Sequence, residues 1–323
     1  MALIRDLTVQ GLQMLLVLML APLVTGLVRK MKARLTRRRG PSVLQPYRDL
    51  LRLARKETVL AENASWLFRT APYLIFAATW VAAALVPTFA TGLLFNWTAD
   101  LIAIVALLGS ARFFLALAGM DVGTSFGGIG ASREVMIASL AEPAMIMIVF
   151  SLALLVGSTQ LSTIAAFMVS PQVGLRVTLG LAMISLIMVG IAENGRIPVD
   201  NPATHLELTM VHEAMVLEYS GRHLALIELS ASLKLLLYMS LIACLFLPWG
   251  MVPMRPALSV DTFVAYAIGG GAYAAKLGFG SVMLALFETA IAKMRVFRVS
   301  AFLGAALMLG LLGALLLFVS RGL

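Results

Sequence analysis

Residues 135–157 read Val-Met-Ile-Ala-Ser-Leu-Ala-Glu-Pro-Ala-Met-Ile-Met-Ile-Val-Phe-Ser-Leu-Ala-Leu-Leu-Val-Gly, an apolar run whose only charge is Glu142 and whose only proline is Pro143. A helix needs ~20 apolar residues to cross the hydrocarbon core of a bilayer, so this stretch is long enough to span one. Pro143 inside it predicts a kink. A carboxylate at a helix centre costs ~2.5 kcal/mol or more on insertion scales, so Glu142 is expected to face a bundle interior, a partner charge or a water path.

The same length test applied outward from this run gives eight spans: 8–28, 72–95, 99–119, 135–157, 174–194, 224–249, 263–291 and 299–320. The composition agrees. Of 323 residues 61% are hydrophobic and 13% charged, against roughly 25% charged in soluble domains, and the mean hydropathy is +0.96. The fold class expected is an all-α polytopic membrane protein, one domain over 1–323. The first run has only Arg5 before it and no small-residue cleavage pattern, so it reads as a span and not as a signal peptide. Pro72 suits the first turn of the second span, where no amide hydrogen is needed.

Charge placement sets the orientation. The segment 29–71 holds twelve of the 25 Lys+Arg, and the loops 120–134, 195–223 and 292–298 on the same side bring that face to 18. By the positive-inside rule these loops are cytoplasmic and both termini lie outside. The formal net charge of +9 is therefore a topology signal, and nucleic acid is not an expected partner. The outward segments 158–173 and 250–262 carry almost no charge and no catalytic constellation.

Function is expected on the cytoplasmic side. In 44–57, Leu50, Leu51 and Leu53 fall on one helical side with Arg48, Arg52, Arg55 and Lys56 largely opposite, which predicts an amphipathic helix at the interface. Such a helix either rests on anionic lipid or also docks a soluble partner. Nine of the chain's 16 acids lie in 121–228. Glu134, Glu142, Glu193, Asp200, Glu207, Glu218 and Glu228 are the candidates for a proton path, with Glu288 near the end of span seven. Arg112, Lys234 and Lys276 sit inside apolar runs. These groups could form a chain of coupled titrating sites or fixed salt bridges that lock helices together. His205, His212 and His223 share one loop without a cysteine pair, so no metal site is expected. Gly127-Gly128-Ile129-Gly130 has no preceding strand and predicts a tight irregular loop, not a nucleotide site. The single cysteine, Cys244, excludes an internal disulfide and a cluster held by this chain.

Three groups of residues resemble a known family. Arg39-Gly40-Pro41 with Leu44-Gln45-Pro46, Asp49 and Lys56-Glu57 is similar to the first cytoplasmic loop of the respiratory-chain complex I (NADH-quinone oxidoreductase) subunit 1 family. Gly130-Ala-Ser-Arg133-Glu134 with Glu142 is a second match. The third is Glu193-Asn-Gly-Arg196-Ile-Pro198-Val-Asp200, then Glu207, Glu218-Tyr219-Ser220-Gly221 and Ala225-Leu226. Departures point to one branch. The first loop is several residues shorter than in the quinone-reducing enzymes, Pro202 to His205 interrupt the acidic run, and Ala231 stands where an acid is usual, with Glu228 three residues earlier. The pattern resembles the homologous membrane subunit of group 4 energy-converting nickel-iron hydrogenases, as in formate hydrogenlyase, hydrogenase-4 and the carbon-monoxide-induced enzyme, the last nearest in overall resemblance.

The resemblance implies a non-catalytic subunit of a bacterial or archaeal plasma membrane. It would dock the hydrogenase large and small subunits and an iron–sulfur subunit, adjoin antiporter-like membrane subunits, and link redox turnover to ion translocation. The nickel-iron centre and clusters would belong to the partners. Arg39, Gln45, Asp49, Arg196 and Tyr219 are the expected docking residues, and Arg133, Arg196, Lys234 and Lys276 the expected charge-compensating ones. Alternatives are a quinone-site subunit of complex I, a structural anchor without a proton role, and a stand-alone transporter.

Overall fold

A computed structural model describes residues 2–92, 94–170, 177–200, 210–253, 260–294 and 298–322. The described residues form eleven α-helices and two two-residue strands. Seven helices are long and apolar enough to cross a membrane. These are α1 (Ala2–Leu35), α3 (Trp66–Leu85), α4 (Leu101–Asp121), α5 (Ser125–Val156), α9 (Gly221–Phe246), α10 (Val260–Ala290) and α11 (Val299–Gly322). The shorter apolar helix α7 (Val177–Glu193) completes the eight predicted spans. The chain is a multi-pass membrane protein. Trp66 at one end of the bundle and Trp97 and Trp249 at the other stay largely exposed, as expected of interfacial anchors.

The helix ends differ from the reading of apolar run lengths, for local reasons. The second span is expected at 72–95, but α3 starts at Trp66 because the Ser65 hydroxyl caps it, accepting from the Leu67 amide at 3.0 Å. Pro72 therefore lies inside the helix and not in its opening turn. The helix stops at Leu85, where Gln13 of α1, itself buried, donates to the carbonyls of Ala84 and Val86 at 2.9 and 2.8 Å. Those carbonyls would otherwise be orphaned at the helix end. Beyond it, β1 (Ala90–Thr91) pairs in parallel with β2 (Val252–Pro253). The segment 158–173, whose composition suggests a plain loop, contains the short helix α6 (Leu161–Val169).

The loop expected at 120–134 is mostly helix. The Thr124 side chain caps α5 by accepting from Gly127 N, so Gly127 to Gly130 are helical and Arg133 and Glu134 belong to α5. The glycines serve helix contact instead of a loop. A Cβ on Gly127 would lie 2.0 Å from the Gly119 carbonyl oxygen of α4, and one on Gly130 2.9 Å from that of Val211. We expect Gly127→Ala to destabilise the detergent-solubilised protein by roughly 1–3 kcal/mol through overpacking. Gly128→Ala, with open space around its position, is the control and should be neutral or slightly stabilising. Equal melting temperatures for the two variants would overturn the close-contact assignment.

The core runs along α9, whose Leu233, Leu236, Leu237 and Leu241 are fully buried. On one side α5, α7 and α11 pack together, joined by Ser151 Oγ donating to Gly310 O at 3.2 Å and Ser185 Oγ to Ala306 O at 2.7 Å. Such bonds between helices add to packing where lipid offers no hydrophobic drive. The predicted amphipathic helix is α2 (Gln45–Arg55), lying on α1 and α9 with Pro46 buried. A Cβ on Gly26 would meet Val43 O at 2.0 Å, and the Tyr47 hydroxyl donates to Met19 O. Burial pushes the Tyr47 phenol above its ordinary pKa. Leu50 and Leu53 are half-buried, whereas Leu51 is exposed.

Candidate functional site: a buried charge chain beneath a charged cavity

Arg112 of α4 lies nine residues from the end of its helix at Asp121, ~14 Å into the bundle. Its guanidinium touches three carboxylates. Nε is 3.5 Å from Glu134 Oε1, Nη1 is 3.6 Å from Glu142 Oε1, and Nη2 bonds Glu193 Oε1. The other oxygen of Glu193 is 3.8 Å from Lys234 Nζ of α9. Four helices thus contribute to one ionic system, and Arg112, Glu134 and Glu193 are all buried. The Nε and Nη1 atoms of Arg112 make these ion pairs without a hydrogen bond. Glu142 differs from the others, its side chain being 45% exposed on the flank of the isolated chain.

Above this system opens a cavity of about 730 Å³. Glu134, Glu193, Asp200, Glu213, Glu228 and Glu288 line it together with Arg29, Lys32, Arg38, Arg196 and Lys234. Its wall is the segment 194–200, whose course follows from its sequence. Arg196 N donates to Ile191 O and Gly195 N to Ala192 O, with Gly195 at φ +53°, which is a Schellman stop for α7 and requires a residue that tolerates the left-handed region. The chain then turns, and Met294 N donates to Pro198 O at 2.8 Å.

Two ion-pair knots fix this segment. Lys293 Nζ is 2.8 Å from Asp200 Oδ1. The buried carboxylate of Glu288, near the end of α10, bonds Lys32 Nζ of α1 at 2.9 Å and faces Arg196 Nη1 at 3.4 Å. Burial pushes the Arg196 guanidinium below its ordinary pKa; Glu288 opposes this and Arg29 adds to it.

Of the residues singled out in the sequence, Glu134, Glu142, Glu193 and Lys234 meet around Arg112, while Asp200 and Glu228 reach the same cavity from other walls. Others are placed differently. Glu218 is exposed and does not line the cavity. Arg133 donates to the Met210 carbonyl at 2.6 Å and not to a carboxylate, because the helical start of α5 turns it toward the 210–211 segment. Among the described residues Lys276 pairs with no acid; on α10 it lies near the Cys244 thiol. Tyr219, expected as a docking residue, is 3% exposed. Its ring stacks on Phe68 with centroids 4.0 Å apart and its hydroxyl donates to Phe68 O at 3.0 Å, and burial pushes its phenol up. Gln45 bonds Asp49 at 3.0 Å on α2, and Arg39 is exposed. Glu207 and His205 lie outside the described residues.

Sequence reasoning misses the centres of both knots. Arg112 is visible as the one cation inside span three, and Glu288 as an acid near the end of an apolar run. Nothing in either local pattern shows how many partners converge on it.

A helical membrane bundle with a buried ionic chain under a charged cavity defines a class. A family profile described as NADH dehydrogenase matches residues 8–319. The chain is 33% identical to formate hydrogenlyase subunit 4 of Escherichia coli (strain K12) over 285 residues, covering 88% of this chain and 90% of that one. It is 38% identical to hydrogenase-4 component C of the same organism, covering 74% of each, and 28% identical to NADH-ubiquinone oxidoreductase chain 1 of Triticum aestivum, covering 71% and 73%. Its fold is shared by a chain of the membrane-bound sulfane sulfur reductase, an archaeal respiratory membrane complex, with a TM-score of 0.78 at 20% identity over 95% of this chain and 99% of that one. The chain belongs to the NADH dehydrogenase family, which takes in the hydrogenase membrane components as well as the oxidoreductase subunits.

Proposed function

We propose that this chain is the membrane-anchoring and proton-coupling subunit of an energy-converting nickel-iron hydrogenase complex. The observation that carries the coupling role is Arg112 held by three carboxylates from two other helices, with Lys234 on the far side of Glu193. The guanidinium cannot move toward one carboxylate without leaving another, so a change of charge at any member is felt by the rest. From the cavity mouth at Glu288 and Arg196 to Glu142 on the flank, such a unit carries a change in charge sideways through the subunit. Coupling of this kind needs an element with two arrangements that both ends bias; the segment 194–200, held by ion pairs, is that element.

In this reading the cytoplasmic segments 29–71 and 195–223, with Arg39, Gln45, Asp49 and Arg196, dock the hydrogenase large and small subunits and an iron–sulfur subunit. Antiporter-like subunits adjoin Glu142. The nickel-iron centre and clusters are held by the partners, since one cysteine cannot ligate a cluster. The host is a bacterial or archaeal plasma membrane with both termini outside, supported by 18 cations on the opposite face. Glu207, one of the acids matched to the family's motif, belongs to the same proposed path.

The test is Glu142→Gln and Glu207→Gln in the assembled complex, assayed in inverted vesicles for hydrogen production and proton pumping. Pumping is expected to fall by about tenfold or more for a lost proton-transfer group. Wild-type hydrogen production and pumping in both variants would reduce the chain to a structural anchor.

A further inference from the structure

Lys30, Arg34, Arg37, Arg38 and Arg39, with Gly40 and Ser42, line an open groove of about 660 Å³ at the cytoplasmic end of α1. Five cations converge there and no carboxylate lines it. A concentration of one sign is unfavourable in itself and attracts an anion. The backbone adds a second observation. Arg38 N donates to Ala33 O and Arg37 N to Arg34 O, with Arg37 at φ +57°, so α1 ends in a Schellman motif whose left-handed residue is an arginine. Glycine is the favoured residue there, as at Gly195 after α7. Gly40, at φ +63° and with no room for a Cβ beside Ala33, folds the returning chain onto the helix and closes the groove.

The groove's direction identifies its occupant. Leu12, Leu15 and Met19 are more than half exposed on α1. Continuing their steps of three or four residues leads to Lys30 and Arg34 on the same face of the helix, and Arg37 follows just past its end. The cavity is met by a different face, through Thr25, Val28, Arg29, Lys32 and Thr36. The cationic groove thus lies mainly on the lipid side of α1, Arg38 alone lining both it and the cavity. Anionic leaflets favour each nearby Lys or Arg.

We propose that this groove is a binding site for the phosphate headgroup of an anionic phospholipid in the cytoplasmic leaflet. The assignment is separate from the hydrogenase reading except at Arg39, which that reading places in the docking surface. To test it, the full-length protein is exchanged into equal mixtures of phosphatidylglycerol and phosphatidylcholine with matched acyl chains, and retained lipids are counted by native mass spectrometry. Phosphatidylglycerol is expected to be retained, and each cation removed in the series Arg34→Gln, Arg37→Gln, Arg39→Gln to weaken retention about fivefold. Arg37→Gly separates binding from folding: its melting temperature should hold or rise while retention falls. Equal retention by wild type and the triple variant overturns the site, and so does displacement of the lipid by millimolar inorganic phosphate, which would mark a free-phosphate site. In whole membranes a photo-crosslinker at position 34 should yield lipid adducts; adducts to an acidic polypeptide instead would assign the groove to a partner subunit and defeat the proposal.

Discussion

Arg112→Met is expected to cost about 3–5 kcal/mol, because removing one member of a buried ionic group leaves the rest uncompensated. Glu134 and Glu193 would remain buried with Lys234 as their cation, which lies 3.8 Å from Glu193 and acts on Glu134 beyond ion-pair distance. The measurement is the melting temperature of the solubilised chain and the yield of folded protein by size exclusion. A partner variant makes the test specific. Arg112→Met combined with Glu193→Gln removes one stranded charge and should recover part of the loss, whereas Arg112→Met combined with Glu218→Gln, an exposed acid away from the cavity, should recover nothing. An Arg112→Met protein as stable as wild type would show that the four helices do not depend on this ionic centre.

Glu288→Ala is expected to free the segment 194–200. The carboxylate joins α1 through Lys32 and the segment through Arg196, and the Arg196 guanidinium, already disfavoured by burial, would lose that opposing charge while Arg29 remains close. A broken buried pair worth about 3 kcal/mol corresponds to roughly a hundredfold larger local opening constant. Hydrogen exchange of the Val199 and Asp200 amides, which bond the Arg196 carbonyl, should accelerate on that scale. Amides of α5 and α11, packed together in the bundle, should not change. Exchange at 199 and 200 indistinguishable from wild type would remove Glu288 from the coupling element.

How much of this is legible in the sequence depends on whether the cause is local. The eight spans follow from apolar run length, which is a local property, and each has its helix. Their ends do not follow, since α3 stops where Gln13 reaches across from α1 and not where hydropathy falls. Gly127 and Gly130 read as loop residues because glycine has two uses, and only the proximity of α4 and the 211–215 segment decides between them. Tyr219 belongs to the recognised motif yet serves the interior, stacked on a phenylalanine 151 residues away. The acids of the site are visible as charges in costly places. Their organisation around Arg112 and Glu288 is not, because convergence of partners from separate helices leaves no spacing signal in the chain.

The half-exposed carboxylate of Glu142 also bears on how the cell disposes of this polypeptide. It lies seventeen residues into α5, ~26 Å along a membrane-crossing helix, on the flank that bare lipid would otherwise meet. Lipid penalises an ionised group at that depth by a few kcal/mol, and a neighbouring polar helix removes the penalty. If a partner subunit covers Glu142 as proposed, an unassembled copy carries a defect that assembly erases. Membrane quality control can sense that difference, so synthesis in excess of its partners should end in turnover of the surplus, with subunit stoichiometry set by degradation as well as by expression.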